Sequence, residues 1–342
     1  MIKPRFGGAF LLYLWHIINI TQSAIMKKML FWSFIIIIMN VTVLMGQQPV
    51  KIHGKLSVQG VQLMDEKGKP VMLQGVSYGW HNWWPRFYNK ESVTWLANDW
   101  NCTVVRAAMG VGPKGSYLDK TEWSQKLIED VVEGAIENDV YVIIDWHSHQ
   151  VETEAAKKFF AQMAKKYGKY PHVIYEIFNE PVHDSWEVIK NYSIEVIKAI
   201  REHDPDNIIL IGSPHWDQDV HIAADSPIEG YKNLMYTLHF YAATHKQDLR
   251  ERGNYALSKG LPLFVSESAG MSANGDGPIN YEEWNLWIDW MKKNKISWVS
   301  WSIADKNETC SMLLPSAAST GGWKETDMKE SGIKTRELLK KK

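Results

Sequence analysis

The sequence predicts an α/β fold of one domain: eight parallel strands and their helices, closed into a (β/α)8 TIM barrel. Three observations predict it. Eight short apolar runs alternate with amphipathic segments between residues 71 and 302. No low-complexity linker, internal repeat or long charge block interrupts residues 50–342. No glycine-rich phosphate loop follows the first run, which argues against an open doubly wound sheet.

The elements follow in order. Residues 26–46, MKKMLFWSFIIIIMNVTVLMG, place two lysines before an apolar run and a small residue before polar Gln47 and Gln48. That is the layout of a secretory signal peptide. We expect residues 1–46 to be a targeting segment with translation starting at Met26, cleavage near Gly46, and residues 47–342 as the barrel. An uncleaved anchor is the alternative, because an apolar run of about 18 residues is at the lower edge of what spans a bilayer. Residues 55–71, KLSVQGVQLMDEKGKPV, read as a hairpin that caps the barrel's bottom. Strands are expected over 71–77, 103–109, 140–146, 173–178, 207–212, 234–240, 262–267 and 297–302. Helical patterns lie between them, as over 124–139 and 185–204. The second of these carries Trp186, Ile189, Ile194, Ile197 and Ile200 as a stripe that would face a sheet.

Composition narrows the function. A net charge of −1 gives a nucleic-acid partner no electrostatic support. Cys102 begins a strand and Cys310 follows one, so they should lie at opposite ends of the barrel, too far apart for a disulfide. The chain holds 17 tryptophans. Those in WLANDW and EEWNLWIDW, with Trp186, fall at helical spacing and are expected in the core. Trp80, Trp83 and Trp84 crowd the loop after the first strand, which suggests a flat, weakly polar ligand. Trp323 stands open between core and cleft.

Barrels of this kind carry their chemistry at the C-terminal ends of the strands. Glu180 stands just past the fourth strand, in VIYEIFNEPV, and Glu267 ends the seventh, in LPLFVSES. Arg106, His147, Asn179, His239, Tyr241 and Trp301 fall at the same level. Each is an expensive choice for a barrel core. Paired carboxylates suit cleavage of a glycosidic bond, one protonated to donate to the leaving oxygen and one ionised to attack the anomeric carbon. Arg106 and the Tyr241 hydroxyl are expected to hold Glu267 ionised, while Glu180, partly desolvated, has the raised pKa. Glu176 sits mid-strand and reads as a buried structural partner for a nearby cation.

The stretches VVRAAMG, IIDWHSH, VIYEIFNEP, LHFYA, LFVSES and SWVSWSIADKNET occur in order across residues 55–325. Together they resemble glycoside hydrolase family 5, and most of all its bacterial endo-β-1,4-glucanase (cellulase) branch. The resemblance implies a retaining double displacement with Glu180 as acid/base and Glu267 as nucleophile. It implies that Asn179 holds the 2-hydroxyl of the sugar being cleaved, and that Arg106, His147, His239 and Tyr241 brace the carboxylates, with Trp301 as platform. DKNE resembles the family's subsite −2 element, so Lys306 and Glu308 would bind sugar hydroxyls. It further implies a β-glucan polysaccharide as substrate. The leader-like residues 26–46 imply a secreted, periplasmic or cell-surface protein without stable membrane association after cleavage, and a monomer is expected. No cofactor, metal or nucleic acid is expected.

The sequence also departs from the family. Gly110 stands where tyrosine is frequent, and ESAG replaces the usual EWG after the nucleophile. VSYGWHNWWPRFYN replaces a shorter pattern. There His81 is expected to keep a sugar-binding role, with Trp83 or Trp84 as stacking platform. Three alternatives remain. One is a metal-dependent barrel hydrolase using His147, His149, His239 and His245. Another is a carbohydrate-binding protein without catalysis. The third is family 5 activity on mannan, xylan, licheninan or xyloglucan.

Overall fold

The computed structural model describes residues 47–341. The expected targeting segment therefore lies outside the described residues. A short helix α1 (Pro49–His53) leads into the antiparallel hairpin β1 (Ser57–Gln59) and β2 (Gln62–Met64). Gly60 takes a left-handed φ of 58° in its turn, a conformation glycine adopts without steric cost.

The barrel strands are β3 (Gln74–Tyr78), β4 (Val104–Gly110), β5 (Tyr141–His147), β6 (Val173–Glu176), β7 (Ile209–Ile211) and β8 (Leu234–Thr237). A separate parallel pair, β9 (Phe240–Tyr241) and β11 (Ser268–Ala269), flanks the mouth; β10 (Leu263–Phe264) and β12 (Trp298–Ile303) complete the barrel. Every neighbouring pair is parallel, in the order β10-β8-β7-β6-β5-β4-β3-β12. A bridge between Val265 and Trp298 closes the circle, with Val265 N donating to Ser297 O at 2.9 Å and Val299 N to Val265 O at 2.9 Å.

Helices α2 (Lys90–Asn98), α3 (Thr121–Glu137), α4 (Thr153–Tyr167), α5 (Trp186–Arg201), α6 (Val220–Asp225), α7 (Gln247–Ser258), α8 (Tyr281–Asn294) and α9 (Glu330–Lys340) alternate with the strands. Ser185 caps α5 by accepting from Val188 N at 3.4 Å, and Ile189, Val196, Ile197 and Ile200 bury its inner face. No helix among the described residues is long and apolar enough to cross a membrane.

Period-two alternation sorts each strand into two cores. On β4, Val105, Ala107 and Met109 face the helices, and Val104 faces the barrel's interior. On β5, Val142, Ile144 and Trp146 face outward, and Tyr141 and Ile143 inward. The interior cluster at the lower end includes Ile174, Leu210, Met235, Phe264 and Val299, and Leu56 and Leu63 join it from the hairpin region. The hairpin therefore caps the bottom as expected, each buried leucine contributing about 2 kcal/mol by area. Trp100, Trp284, Trp287 and Trp323 are buried, Trp323 edge-on to Phe87 and Trp100 in the outer core. Cys102 and Cys310 are both free and buried.

Candidate active site

The same alternation that fills the barrel's bottom with aliphatic side chains carries polar ones into its upper half. Arg106 is two residues above Val104, Asp145 two above Ile143, and Glu176 two above Ile174. All three are fully buried. The fourth barrel strand, β6, ends at Glu176, two residues before the expected limit, because the chain turns into the mouth there. Its amides remain pinned: Ile177 N donates to Leu210 O at 3.1 Å, Asn179 N to Trp146 O at 3.1 Å, and Glu180 N to Ser148 O at 3.2 Å. Glu180 thus sits on rigid backbone at the point where pairing runs out. Glu267 lies between β10 and β11, held from both sides by parallel ladders.

Arg106 is the hub. It donates through Nε to Glu176 Oε2 (2.6 Å), through Nη2 to Asn179 Oδ1 (2.6 Å) and through Nη1 to Glu267 Oε2 (3.1 Å), and it pairs with Asp145 at 3.0 Å. Glu176 is the buried structural carboxylate that its mid-strand position suggests. The Tyr241 hydroxyl donates to Glu267 Oε1 at 2.6 Å. His239 donates from Nδ1 to Glu180 Oε1 at 3.0 Å and from Nε2 to Ser266 Oγ at 2.9 Å; Ser266 donates on to Glu176 Oε1 at 2.7 Å. Both carboxylates of the pair therefore hang from one hydrogen-bonded circuit. His147 Nδ1 donates to Asp145 Oδ2 at 2.7 Å. Asn179 Nδ2 is buried without a partner among the described residues, a donor free for a ligand hydroxyl. A carboxylate oxygen of Glu180 and one of Glu267 lie within 4.8 Å. Approach this close suits the carboxyl spacing of about 5–5.5 Å in retaining glycosidases better than the 6.5–9.5 Å or so of inverting ones.

The electrostatics reverse one expectation. Burial alone raises the Glu180 carboxyl, but hydrogen bonds from His149 and His239 outweigh it and hold the group down to about 2. Glu267 is pushed up by burial and then by the charge of Glu180, against the pull of His239, Arg106 and Tyr241. In the unliganded protein the expected acid is thus the more acidic of the two. The reason is allocation of charge: Arg106 divides its charge among Asp145, Glu176 and Glu267, whereas two imidazoles serve Glu180. His239 has its own pKa raised despite burial, by Asp217, Glu176 and Glu180. His147 is driven well down by burial and by Arg106.

Two hollows meet at Glu180. One, of about 190 Å³, is lined by Trp80, Trp83, Trp84, Trp301, Lys306, Glu308 and the carboxylate pair. Trp301 stacks on His147 (5.1 Å, 4° between planes), Trp83 is 51% exposed, and Lys306 pairs with Glu308. The other hollow, of about 480 Å³, is lined by His149, Trp216, Gln218, His239, Tyr241 and His245. The structure therefore gathers Arg106, His147, Asn179, Glu180, His239, Tyr241, Glu267, Trp301, Trp83, Trp84, Lys306 and Glu308 around one cleft.

His81 is the exception. It is completely buried, its Nε2 bonded to Ser124 Oγ at 2.7 Å and its Nδ1 accepting from Gly110 N at 2.9 Å. Burial lowers its pKa to about 4. It anchors the loop to β4 and α3 and reaches no part of the cleft. Sequence reasoning missed Trp216 altogether. His215, Trp216 and Asp217 take left-handed φ values of 59°, 55° and 57° in succession, each a costly conformation for a side-chain-bearing residue. Asp217 holds the turn, accepting from Ser213 N and from Thr237 Oγ1, both at 2.6 Å. Trp216 N donates to Pro181 O at 2.9 Å. The available signal was a tryptophan just beyond a strand with no apolar partners at helical spacing.

The histidines do not assemble as a metal site. Among the described residues, no cluster of three donors within 4.8 Å contains more than one histidine. His147 Nδ1 is tied to Asp145, and His245 Nδ1 accepts from Tyr241 N at 2.9 Å.

Fold and site together define a (β/α)8 barrel with a buried carboxylate pair at its mouth. The model of the cellulase family, glycosyl hydrolase family 5, matches residues 64–307, and the chain belongs to that family. An endoglucanase of Clostridium saccharobutylicum is 43% identical over 287 residues, covering 82% of this chain and 64% of that protein. A solved structure from Cytophaga hutchinsonii is 45% identical with a TM-score of 0.84, covering 85% of this chain and 96% of that one. The endoglucanase catalytic domain of Thermobifida fusca, solved as a variant in complex with cellotetraose, is 32% identical with a TM-score of 0.81, covering 85% and 99%. The chain spans about three fifths of the length of the curated relatives it matches.

Proposed function

We propose that the protein is an endo-acting glycoside hydrolase that cleaves β-1,4-glucosidic bonds in cellulose or soluble β-glucan with retention of configuration. The observation that carries this reading is the carboxylate pair: two acids within 4.8 Å across an aromatic-lined cleft, both tied to the Arg106 circuit. Glu267 attacks the anomeric carbon while Glu180 protonates the leaving oxygen. Glu180 then takes a proton from the water that releases the sugar. Asn179 Nδ2 donates to the 2-hydroxyl. Trp301 supports the ring being cleaved, Lys306, Glu308, Trp83 and Trp84 form the glycone arm, and Trp216 supports the aglycone arm.

The resting protonation fits a substrate-triggered acid. His149 is 42% exposed and makes the longer bond to Glu180, 3.3 Å against 3.0 Å from His239. A sugar in the aglycone arm takes the place of His149 and excludes water. Both changes increase the affinity of Glu180 for its proton. No cofactor enters this scheme. The leader-like residues 26–46 support secretion, and the protein then meets its polymer outside the cytoplasm.

The test is a panel of carboxymethyl-cellulose, licheninan, xyloglucan, mannan and xylan, with products followed by proton NMR. The expected result is hydrolysis of the β-1,4-glucans, with the β-anomer appearing first. First appearance of the α-anomer, or preference for mannan or xylan, overturns the reading.

A further inference from the structure

Asp217 is a fully buried carboxylate with no part in the scheme above. The left-handed turn at 215–217 brings it against His239. Its Oδ2 lies 3.4 Å from His239 Nε2, and its backbone O accepts from His239 N at 3.3 Å. One residue thus touches both the ring and the backbone of the histidine that donates to Glu180. The same turn is tied to the residue after Glu180, because Trp216 N donates to Pro181 O. Three successive left-handed φ values are costly, and strain of that kind gathers where a site needs it.

A count of hydrogens sets the state of His239. A neutral imidazole has one N–H and one accepting nitrogen. Nδ1 faces Glu180 Oε1 at 3.0 Å, and an ionised carboxylate can only accept. Nε2 faces Ser266 Oγ at 2.9 Å, and that hydroxyl gives its own hydrogen to Glu176 Oε1. Both nitrogens must therefore carry hydrogen, which makes the ring a cation.

A buried cation needs a counter-charge. His239 is faced by Glu176 and Glu180 at the end of β6, by Asp217 in the turn after β7 and, further off, by Glu267 after β10. Arg106 already serves Glu176 and Glu267, and His149 shares Glu180. Among the described residues, His239 is the one cation paired with Asp217. Burial pushes the Asp217 carboxyl well above its ordinary value, helped by the charge of Glu180; His239 is the strongest pull the other way, joined by Thr237 and the Ser213 amide. The two charges depend on each other.

We infer that Asp217 is a positioning residue for the acid/base: it keeps both ring nitrogens of His239 donating, so that Nδ1 holds Glu180 in place. The inference rests on the glucanase reading.

The experiment reads the ring and the rate together. In the wild type, nitrogen-15 NMR near neutral pH is expected to show both His239 nitrogens protonated; a single protonated nitrogen overturns the inference. Asp217→Asn keeps the shape and removes the charge. It should lower kcat on carboxymethyl-cellulose about tenfold and leave KM within about twofold. It should also move the basic limb of the kcat profile toward lower pH by about one unit or more, because His239 then loses its proton sooner. Thr237→Val, which takes a donor from the carboxylate, should move that limb the same way by less. A variant that loses rate equally at every pH, with the limb in place and the melting temperature lowered, makes Asp217 a support of the turn only and overturns the inference. A wild-type chain that cleaves no β-glucan overturns the functional reading and this inference with it. A wild type that cleaves glucan, with a limb that neither variant moves, overturns this inference alone.

Discussion

The two ends of the barrel are built from the same strands and serve opposite purposes. At the bottom, the inward positions are Val104, Tyr141, Ile143, Ile174, Leu210 and Val299, closed over by Leu56 and Leu63. Two residues further along three of those strands, the inward positions are Arg106, Asp145 and Glu176. The lower layer stabilises the fold by removing apolar surface from water. The upper layer buries charge, which costs stability unless each group is paired, and the circuit from Glu180 through His239, Ser266, Glu176 and Arg106 to Glu267 supplies those pairs. Stability and the proposed chemistry are thus separated by one step of a strand's alternation.

The largest effect that can break this comparison is at the top. Glu180→Gln and Glu267→Gln are each expected to lose at least about 10³-fold in kcat on carboxymethyl-cellulose. Both variants should still fold, with a lowered melting temperature, because each keeps the shape but leaves Arg106 or His239 short of a counter-charge. Near-normal kcat in either variant removes that residue from the chemistry. A collapse of stability instead makes the pair structural.

Its counterpart lies at the bottom. Leu63→Ala is expected to cost about 2–5 kcal/mol in denaturant unfolding, the range for truncating a buried leucine. Its kcat, measured on folded protein, should remain within about twofold of wild type, since the site's supports come from the upper layer. A large fall in kcat alongside the stability loss would show that the two layers are mechanically coupled.

The sequence makes the bottom and the frame of the top legible for the same reason. Apolar alternation with a period of two reports which residues share a face, and turn residues mark where strands stop. Glu180 could be placed because Pro181 follows it directly, and Glu267 because an apolar run ends on it. His81 could not be placed, because a loop has no period to say which way a ring points; its partners, Ser124 and the Gly110 amide, are 43 and 29 residues away. The left-handed turn that presents Trp216 is invisible for a related reason. Its residues are histidine, tryptophan and aspartate instead of glycine, and contacts from Thr237 and Pro181 hold them there. The order of the two acidities is not legible in the sequence, because it depends on which hydrogen-bond donors and charges meet each carboxylate, and they converge only in three dimensions.

That order supplies a sharper test. In a Glu267→Gln background, which removes the coupled neighbour, the Glu180 carboxyl can be titrated alone by carbon-13 NMR. His149→Ala is expected to raise it from about 2, because a donor to the charged form is lost. The sign carries into stability. A carboxylate held below its ordinary value of 4.5 stabilises the fold above that pH, and this contribution disappears as the pH falls from there toward 2. The melting-temperature difference between parent and His149→Ala should therefore be present near neutrality and vanish toward pH 2. An unmoved titration assigns the depression to His239 alone.

The smallest expected effect distinguishes the ends by their cysteines. Cys310 lines the glycone hollow and donates from Sγ to Glu308 Oε1 at 3.2 Å. Cys102 lies in the outer core at the approach to β4, packed among apolar residues. Burial pushes both thiols above their ordinary value, so neither is a ready nucleophile at neutral pH. Cys310→Ala removes a weak donor from a residue expected to hold a sugar hydroxyl, and KM for cellotetraose should rise about two- to threefold, the scale of one weak hydrogen bond. Cys310→Ser keeps a donor in place and should restore KM. Cys102→Ala should leave KM alone and lower the melting temperature by a few degrees, as a small core truncation does. If Cys102→Ala moves KM, or if Cys310→Ala lowers stability without touching KM, the division between a stabilising bottom and a working top does not extend to the walls of the cleft.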